Sequence, residues 1–294
     1  MIVENQSNIK VHYAGAESLH MFYACQFMKI NYSLYTAFPF LERSVLKTKK
    51  SPLIPAHLKG NESKIPLYIS EKSKHVIQDS GLFTLMFGSH KGVHSEKLLN
   101  NWYSGLIDFT NENNNGATIV EIDCQKILGV KKAWEFRERM RIDLPKNKQI
   151  NVFHKEDGQN GLDRMIEFSN YIAISVPELR FLGQKNSVVK IANYIKNKKP
   201  NIDIHLLGCT ENKLLKELNF CTSSDSTSWK SGQRFGYVNN KHINSINNEK
   251  SRELIDAKDY EFMLNYSSAK SIDSILIKIL ECKINYEKNA GPQD

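Results

Sequence analysis

The sequence predicts an α/β fold, a closed (β/α)8 barrel of the TIM type, as a single domain over residues 1–294. Short apolar segments of strand composition alternate with amphipathic segments of helical periodicity, which is the pattern of a parallel sheet with crossover helices. Seven such units in one chain favour a closed barrel over an open doubly wound sheet. No GxGxxG motif follows the first strand, so the usual sign of a dinucleotide-binding fold is absent.

Seven segments are predicted as strands because they are short and mostly rich in apolar residues. In chain order they are IKVHYAG (9–15), KHVIQDSG (74–81), ATIVEIDC (117–124), QINVFH (149–154), YIAIS (171–175), DIHLLG (203–208) and FCTSSDST (220–227). An eighth strand is expected around residues 234–238.

The segments between the strands are predicted as helices from the spacing of their apolar residues. They cover 17–29, 95–113, 130–144, 161–169, 187–199 and 210–219, and residues 251–288 are expected to be mainly helical. Residues 44–73 contain Pro52, Pro55 and Pro66 and are predicted to be a long irregular insertion after the first strand.

Composition limits the class of protein. Hydrophobic residues make up 40% of the chain and charged residues 24%, as in globular proteins. No apolar run approaches the roughly 18 residues of a membrane helix, and the first residues lack the pattern of a signal peptide. We therefore expect a soluble, cytoplasmic protein without a membrane partner. The five cysteines are scattered and form no CxxC pair, so reduced thiols are expected rather than a metal site or disulfides.

The net charge of +8 favours a polyanionic partner such as a nucleic acid. The charge also has an ordinary explanation, because AT-rich genomes encode many lysines and asparagines and this chain is rich in both.

Polar residues stand where the predicted strands end. These residues are Asp79, Ser80 and Gly81, then Asp123, His154, Ser175, Gly208 and Asp225. The carboxyl ends of barrel strands carry the chemistry in this fold, and they share one rim. Any one of the aspartates alone is better explained as a strand-end cap or a helix N-cap. Four ionisable residues at four strand ends predict one pocket.

Two carboxylates can take separate roles in a reaction at an anomeric carbon. One attacks the carbon, and the other exchanges protons with the leaving or entering group. A third acid, Asp123, is able to accept hydrogen bonds from the N–H groups of a base. Gly81 and Gly208 allow a flat ligand to approach the backbone, and Phe83 and Leu207 are candidates to cover its two faces.

Four segments of the chain resemble the tRNA-guanine transglycosylase superfamily, whose members exchange guanine for a 7-deazaguanine in a polynucleotide. They are IQDSGLF (77–83), EIDC (121–124), IHLLG (204–208) and SSDSTSWKSGQRFG (223–236). The segments occur in the family's order and at the expected strand positions, and the resemblance covers residues 74–236, over half of the chain.

The resemblance implies a role for each site residue. Asp225 would be the nucleophile that takes the sugar C1′, and Asp79 the general base for the incoming deazaguanine. The expected substrate-binding residues are Ser80, Phe83, Asp123, His154, Ser175, Leu207 and Gly208, with His154 standing where the family usually has Gln. Arg234 is expected to hold the polynucleotide backbone. From their place in the long insertion, Lys47, Lys49 and Lys50 are further candidates for contacts to DNA.

Some family features are absent. The structural zinc motif is missing, so no metal or cofactor is expected, and Leu82 replaces the second Gly of the DSGG segment. The family's Gly-Gly pair on the fifth predicted strand is replaced by Ala173, Ile174 and Ser175. The segments HKEDG (154–158) and DSTSW (225–229) are closer to the DNA-directed branch of phages and bacterial genomic islands.

The leading hypothesis is accordingly a DNA guanine transglycosylase, a pentosyltransferase that takes DNA and a free preQ0-like base as substrates. The same chemistry on tRNA is the alternative, and a non-catalytic nucleic-acid-binding barrel is a further one. A glycosidase or deaminase barrel also stays open, although the HxH spacing of metal-dependent deaminases is absent.

Overall fold

A computed structural model describes residues 8–46, 65–87, 95–113, 116–230, 237–238, 241–242 and 249–293. Eight parallel strands close into a barrel in chain order, and the first strand pairs with the eighth so that His12 lies opposite Asp225. The strands are β1 (Lys10–Ala14), β2 (Tyr32–Thr36), β3 (His75–Asp79), β4 (Thr118–Val120), β5 (Gln149–Phe153), β6 (Tyr171–Ser175), β7 (Asp203–Leu207) and β8 (Ser223–Ser226). The predicted (β/α)8 fold is confirmed.

The sequence-based assignment of two strands was wrong. It missed β2, whose sequence YSLYT contains a single aliphatic residue, although four of its five residues are buried. It also placed an eighth barrel strand at 234–238. There, Tyr237–Val238 (β9) pairs only with Lys241–His242 (β10) in a small antiparallel sheet outside the barrel. The predicted second strand is therefore β3.

Helices surround the barrel. They are α1 (Leu19–Phe27), α2 (Phe38–Leu46), α3 (Ile65–Lys72), α4 (Leu82–Phe87), α5 (Glu96–Asn113), α6 (Gln125–Asp143), α7 (Gly158–Phe168), α8 (Val176–Phe181), α9 (Ser187–Lys198), α10 (Asn212–Glu217), α11 (Glu249–Arg252), α12 (Ala257–Leu264) and α13 (Ala269–Ala290). The expectation of a helical C-terminal part is confirmed. Within the described ranges, every helix is too short or too polar to cross a membrane.

The predicted insertion at 44–73 follows β2 rather than β1, and it is only partly irregular. Residues 44–46 end α2, and Ile65–Lys72 form α3. Ile65 and Ile69 are four residues apart and both buried, which anchors one face of this helix. Pro66 lies in the first turn of the helix, where backbone N–H groups have no acceptor within the helix. The absence of an N–H in proline therefore costs no helical hydrogen bond. Lys47, Lys49 and Lys50 lie outside the described residues.

The barrel interior has an apolar part and a polar part. The apolar cluster consists of Ala14, Leu34, Ile77, Val120, Ile150, Val152, Tyr171 and Ala173, with Leu207 packed against it. Buried polar side chains on β1, β7 and β8, among them His12, His205 and Ser223, fill the rest. Because buried polar groups need partners, this part of the interior is held together by hydrogen bonds.

Candidate active site

The carboxyl ends of the strands bring three aspartates to one rim. Asp79 ends β3, Asp225 lies near the end of β8, and Asp123 follows β4. The negative charges of Asp123 and Asp225 both act on Asp79, so both carboxylates lie within electrostatic reach of it. Ser175 and Leu207 end β6 and β7 on the same rim and are half-buried.

Asp79 is held by the backbone of the turn that follows it. The amide of Gly81 donates a hydrogen bond to Asp79 Oδ1 over 2.8 Å. Gly81 has a φ of +78°, and a Cβ there would lie 2.7 Å from the amide nitrogen of Phe38, so glycine is required. Burial raises the pKa of Asp79 to about 7, with a smaller contribution from the charges of Asp123 and Asp225. A carboxyl group with this pKa both accepts and releases a proton near neutral pH.

The two residues next to this turn differ in exposure. Ser80 is buried, and its carbonyl accepts a hydrogen bond from Trp102 Nε1 over 2.9 Å. Phe83 lies in the first turn of α4 and is 69% exposed. Phe83 is thus open to a ligand at the rim, whereas Ser80 also anchors α5 against β3.

Asp225 accepts two hydrogen bonds on the same oxygen. Gly208 N lies 2.7 Å and His205 Nε2 lies 3.1 Å from Asp225 Oδ1. Gly208 has a φ of +65°, and a Cβ there would meet Pro177 Cγ at 2.7 Å. The turn therefore needs glycine in order to point its amide at the carboxylate. Gly208, expected from the sequence to approach a ligand, here contacts Asp225.

His205 was missed by the sequence analysis. It is fully buried on β7, and its Nδ1 lies 2.6 Å from Ser223 Oγ. Ser223 also forms a hydrogen bond with the hydroxyl of Tyr171. The available signal was a histidine between the apolar residues Ile204 and Leu206. It stands two residues before Leu207 and so shares the inward face of Leu207.

A second histidine connects two acids on the other side of the rim. His154 Nε2 lies 3.0 Å from Asp123 Oδ2, and His154 Nδ1 lies 2.7 Å from Glu178 Oε2. Lys126 forms an ion pair with Glu178 at 3.1 Å. Burial opposes a charge on His154, but the hydrogen bonds to both carboxylates outweigh it and raise its pKa to about 10. His154 is therefore an imidazolium at neutral pH.

The contacts of His154 restrict what this group of residues can bind. His154, Glu156 and Glu178 place possible ligand atoms within 4.8 Å of one another. A metal ion would need a lone pair on the imidazole, and both ring nitrogens already contact carboxylates. Metal binding at His154 would therefore have to displace one of these hydrogen bonds. Glu178, in the first turn of α8, was missed by the sequence analysis.

A buried ion pair supports the loop that carries Asp123. Arg137 on α6 donates to both oxygens of Glu121 over 2.7 and 2.6 Å. Asn151 Nδ2 and the amide of Val152 complete the shell of Glu121 over 2.5 and 2.9 Å. Because every oxygen of the carboxylate is satisfied, the pair fixes the backbone two residues before Asp123.

One basic side chain lies at the rim beside β1. A Cβ on Gly15 would lie 2.0 Å from Lys230 Nζ, so the ammonium group occupies the space that this glycine leaves open. Lys230 follows β8 in the segment that contains Asp225. Arg234, the predicted contact to the polynucleotide backbone, lies outside the described residues.

No family model matches the chain, and no curated protein is detectably similar to it in sequence.

Proposed function

We propose that the protein is a DNA guanine transglycosylase, a pentosyltransferase that exchanges guanine for a preQ0-like 7-deazaguanine. The observation that carries this proposal is the unequal pair Asp225 and Asp79. Asp225 is oriented by two donors on one oxygen, as a nucleophile must be, while Asp79 has a pKa of about 7, as an acid–base group must have.

In the first step, Asp225 attacks C1′ of the target nucleotide and the bond from C1′ to guanine N9 breaks. The electrons of that bond stay on guanine. The protonated form of Asp79 supplies the proton that the leaving base needs, and this form is well populated at neutral pH. The sugar is then joined to Asp225 through an ester.

In the second step, the deazaguanine enters the same pocket. Asp79, now ionised, takes the proton from its N9, and N9 attacks C1′ while Asp225 leaves as a carboxylate. Two displacements at one carbon retain its configuration. A single group with a pKa of about 7 serves both steps because it is the acid in one and the base in the other.

Asp123 is the proposed acceptor for the base. Guanine and 7-deazaguanine share an edge with adjacent N–H donors, which a carboxylate matches well. His154 and the Glu121–Arg137 pair hold Asp123 and its loop in place. A site built to accept such donors discriminates strongly against a base that lacks them. Phe83 and Leu207 remain the proposed covers of the base, and Ser175 lies beside them on the rim.

The polynucleotide contacts are proposed from charge. The chain carries a net charge of +8, and Lys230 places an ammonium group at the rim. The proposed DNA substrate follows from the sequence resemblance and from the missing zinc motif. The target guanine would be flipped from a duplex or taken from a single strand.

Radiolabelled preQ0 incubated with the protein and guanine-containing DNA tests this proposal. We expect label in DNA from the wild type and none from Asp225→Asn. Label in tRNA alone would support the alternative, the same chemistry on tRNA. An absence of label in single-stranded DNA, duplex DNA and tRNA would contradict a transglycosylase altogether.

A further inference from the structure

A chain of hydrogen bonds runs through the barrel interior and ends at Asp225. Tyr171 on β6 contacts Ser223 on β8, Ser223 Oγ lies 2.6 Å from His205 Nδ1, and His205 Nε2 lies 3.1 Å from Asp225 Oδ1. His205 and Ser223 are at most 1% exposed, so this chain is closed to solvent below Asp225.

The chemistry of the partners orders the protons. An ionised carboxylate only accepts, so His205 Nε2 must carry the hydrogen that points at Asp225. A neutral ring then accepts at Nδ1, and Ser223 donates to it. Burial raises the pKa of Tyr171 well above its ordinary value, so its hydroxyl stays protonated and donates to Ser223. Every donor in the chain thus points towards Asp225.

We propose that His205 is a positioning residue that holds Asp225 Oδ1 and so selects Oδ2 as the attacking oxygen. Among the described residues, both hydrogen bonds to Asp225 fall on Oδ1, which leaves Oδ2 for the sugar. This inference rests on the proposed function, because attack of Oδ2 on the sugar is a step of that reaction. The hydrogen bond itself does not depend on that reaction.

The same three residue types occur in serine hydrolases, but the arrangement here is inverted. In a hydrolase triad the serine faces the substrate and the aspartate is buried behind the histidine. Here Ser223 lies in the buried part of the hydrogen-bond chain, while the side chain of Asp225 is 11% exposed at the rim. The set therefore orients a carboxylate and does not activate a hydroxyl.

The hydrogen bond from His205 also serves the second step. A carboxylate is a stronger acceptor than an ester oxygen, so the donor favours release of Asp225 from the sugar. Loss of the donor is expected to slow turnover and to let the covalent intermediate accumulate. The KM for the base depends on other residues and is expected to stay within about twofold.

Two variants separate the donor from the bulk of the ring. His205→Phe keeps the ring volume without a donor, and His205→Gln places an amide N–H near the position of Nε2. We expect kcat to fall roughly 100-fold in His205→Phe, as for loss of one aligned donor, and to recover at least tenfold in His205→Gln. His75→Gln is the matched control, because His75 bonds only His12 and Thr118 in this interior among the described residues, and we expect it to keep wild-type kcat.

The proposal is overturned if His205→Phe folds and keeps its kcat within twofold, or if His205→Gln is no faster than His205→Phe. Nuclear magnetic resonance of the wild type labelled with 15N-histidine decides the matter if His205→Phe does not fold. We expect His205 as the Nε2–H tautomer, with a signal that shifts in Asp225→Asn. The Nδ1–H tautomer, which has no hydrogen on Nε2 to donate to Asp225, would contradict the proposal. This readout needs no substrate, so it stands even if no polynucleotide is modified and the proposed function fails.

Discussion

Two histidine–aspartate pairs lie on the same barrel rim, and their third partners differ. His154 bridges the carboxylates of Asp123 and Glu178, whereas His205 bridges the carboxylate of Asp225 and the hydroxyl of Ser223. Two carboxylates hold His154 as a cation, with a pKa of about 10. A carboxylate and a hydroxyl are both satisfied by a neutral ring. The third partners therefore differ in charge: a second carboxylate stabilises the imidazolium of His154, whereas a hydroxyl brings no negative charge to His205.

Asp79 completes this comparison because no histidine contacts it in the described part of the chain. Its stabilising contacts are the amide of Gly81 and the side chain of Thr36, and burial outweighs them. Three acids on one rim thus meet three environments: Asp123 beside a cation, Asp225 beside a buried histidine and a backbone amide, and Asp79 in a turn without a histidine among the described residues. Such differences are how an enzyme assigns different roles to the same residue type.

Replacement of Asp225 is expected to have the largest effect on the rate of base exchange. Asp225→Asn keeps an acceptor for His205 and Gly208 but removes the nucleophile, so we expect base exchange to fall roughly 10⁴-fold or more. Single-turnover release of guanine measures the effect, and a denaturing gel shows whether the covalent protein–DNA adduct is lost. Exchange at more than a tenth of the wild-type rate would show that Asp225 is not the nucleophile.

Asp79→Asn is expected to slow exchange about 10²–10⁴-fold, the usual contribution of a general acid–base group. In the wild type, attack by the incoming base needs ionised Asp79, so the rate of that step should rise with pH and level off above about pH 7. The rise should disappear in Asp79→Asn. The pH range from about 5.5 to 8.5 brackets the pKa of about 7. A wild-type rate of this step that does not change over that range would argue against Asp79 as the base.

The same variant is expected to be more stable than the wild type at alkaline pH. The pKa of Asp79 is raised in the folded state, so ionisation of Asp79 destabilises the fold. This cost grows as pH rises from about 4 towards 7 and is fully present above about 7. Asp79→Asn removes a cost of roughly 2–4 kcal/mol at pH 8.5 and little at pH 4. Urea unfolding at both pH values measures the difference, and an equal change at both would contradict the pKa shift.

His154→Gln tests the cationic member of the comparison. Glutamine keeps a hydrogen bond to one carboxylate but not the charge, so Asp123 and Glu178 lose their shared counter-ion. We expect KM for the incoming base to rise about tenfold while kcat changes little, the reverse of the pattern expected for His205. Stability should fall by about 1–3 kcal/mol at neutral pH.

The pH dependence of that stability loss has a definite sign. The pKa of His154 is raised to about 10 in the folded state, so its contribution is fully present below about pH 6.5 and is lost as pH rises through about 10. Wild type and His154→Gln should therefore become more similar in stability at high pH. A stability gap that widens above pH 9 would show that His154 is not charged.

The smallest expected effect belongs to Glu156→Gln. Glu156 is exposed and belongs to the group that could otherwise hold a metal ion. Because both ring nitrogens of His154 are engaged by carboxylates, we expect both this variant and a chelator to leave exchange within about twofold. A larger loss that Zn²⁺ or Mg²⁺ restores would overturn the assignment of these residues to an ion-pair network.

Part of the candidate site was predictable from the sequence. Asp79, Asp123, His154 and Asp225 were expected on one rim because each lies at or near the end of a predicted strand, and parallel strands share their carboxyl end. Glu178 was not expected, since it lies in a short helix after Ser175 and has no strand pattern of its own. His205 was not expected, since a polar residue inside an apolar strand is ambiguous until its partners are known.

The sequence by itself determined the alternation of strands and helices and the acidic strand ends, because hydrophobic periodicity and strand-end chemistry are local properties. It did not determine β2, whose serine- and tyrosine-rich segment is buried only by neighbours distant in the chain. Only the tertiary structure decided which histidine pairs with which acid. The charge of His154 and the pKa of Asp79 depend on burial and on groups brought together from different strands, and spacing along the chain does not encode those distances.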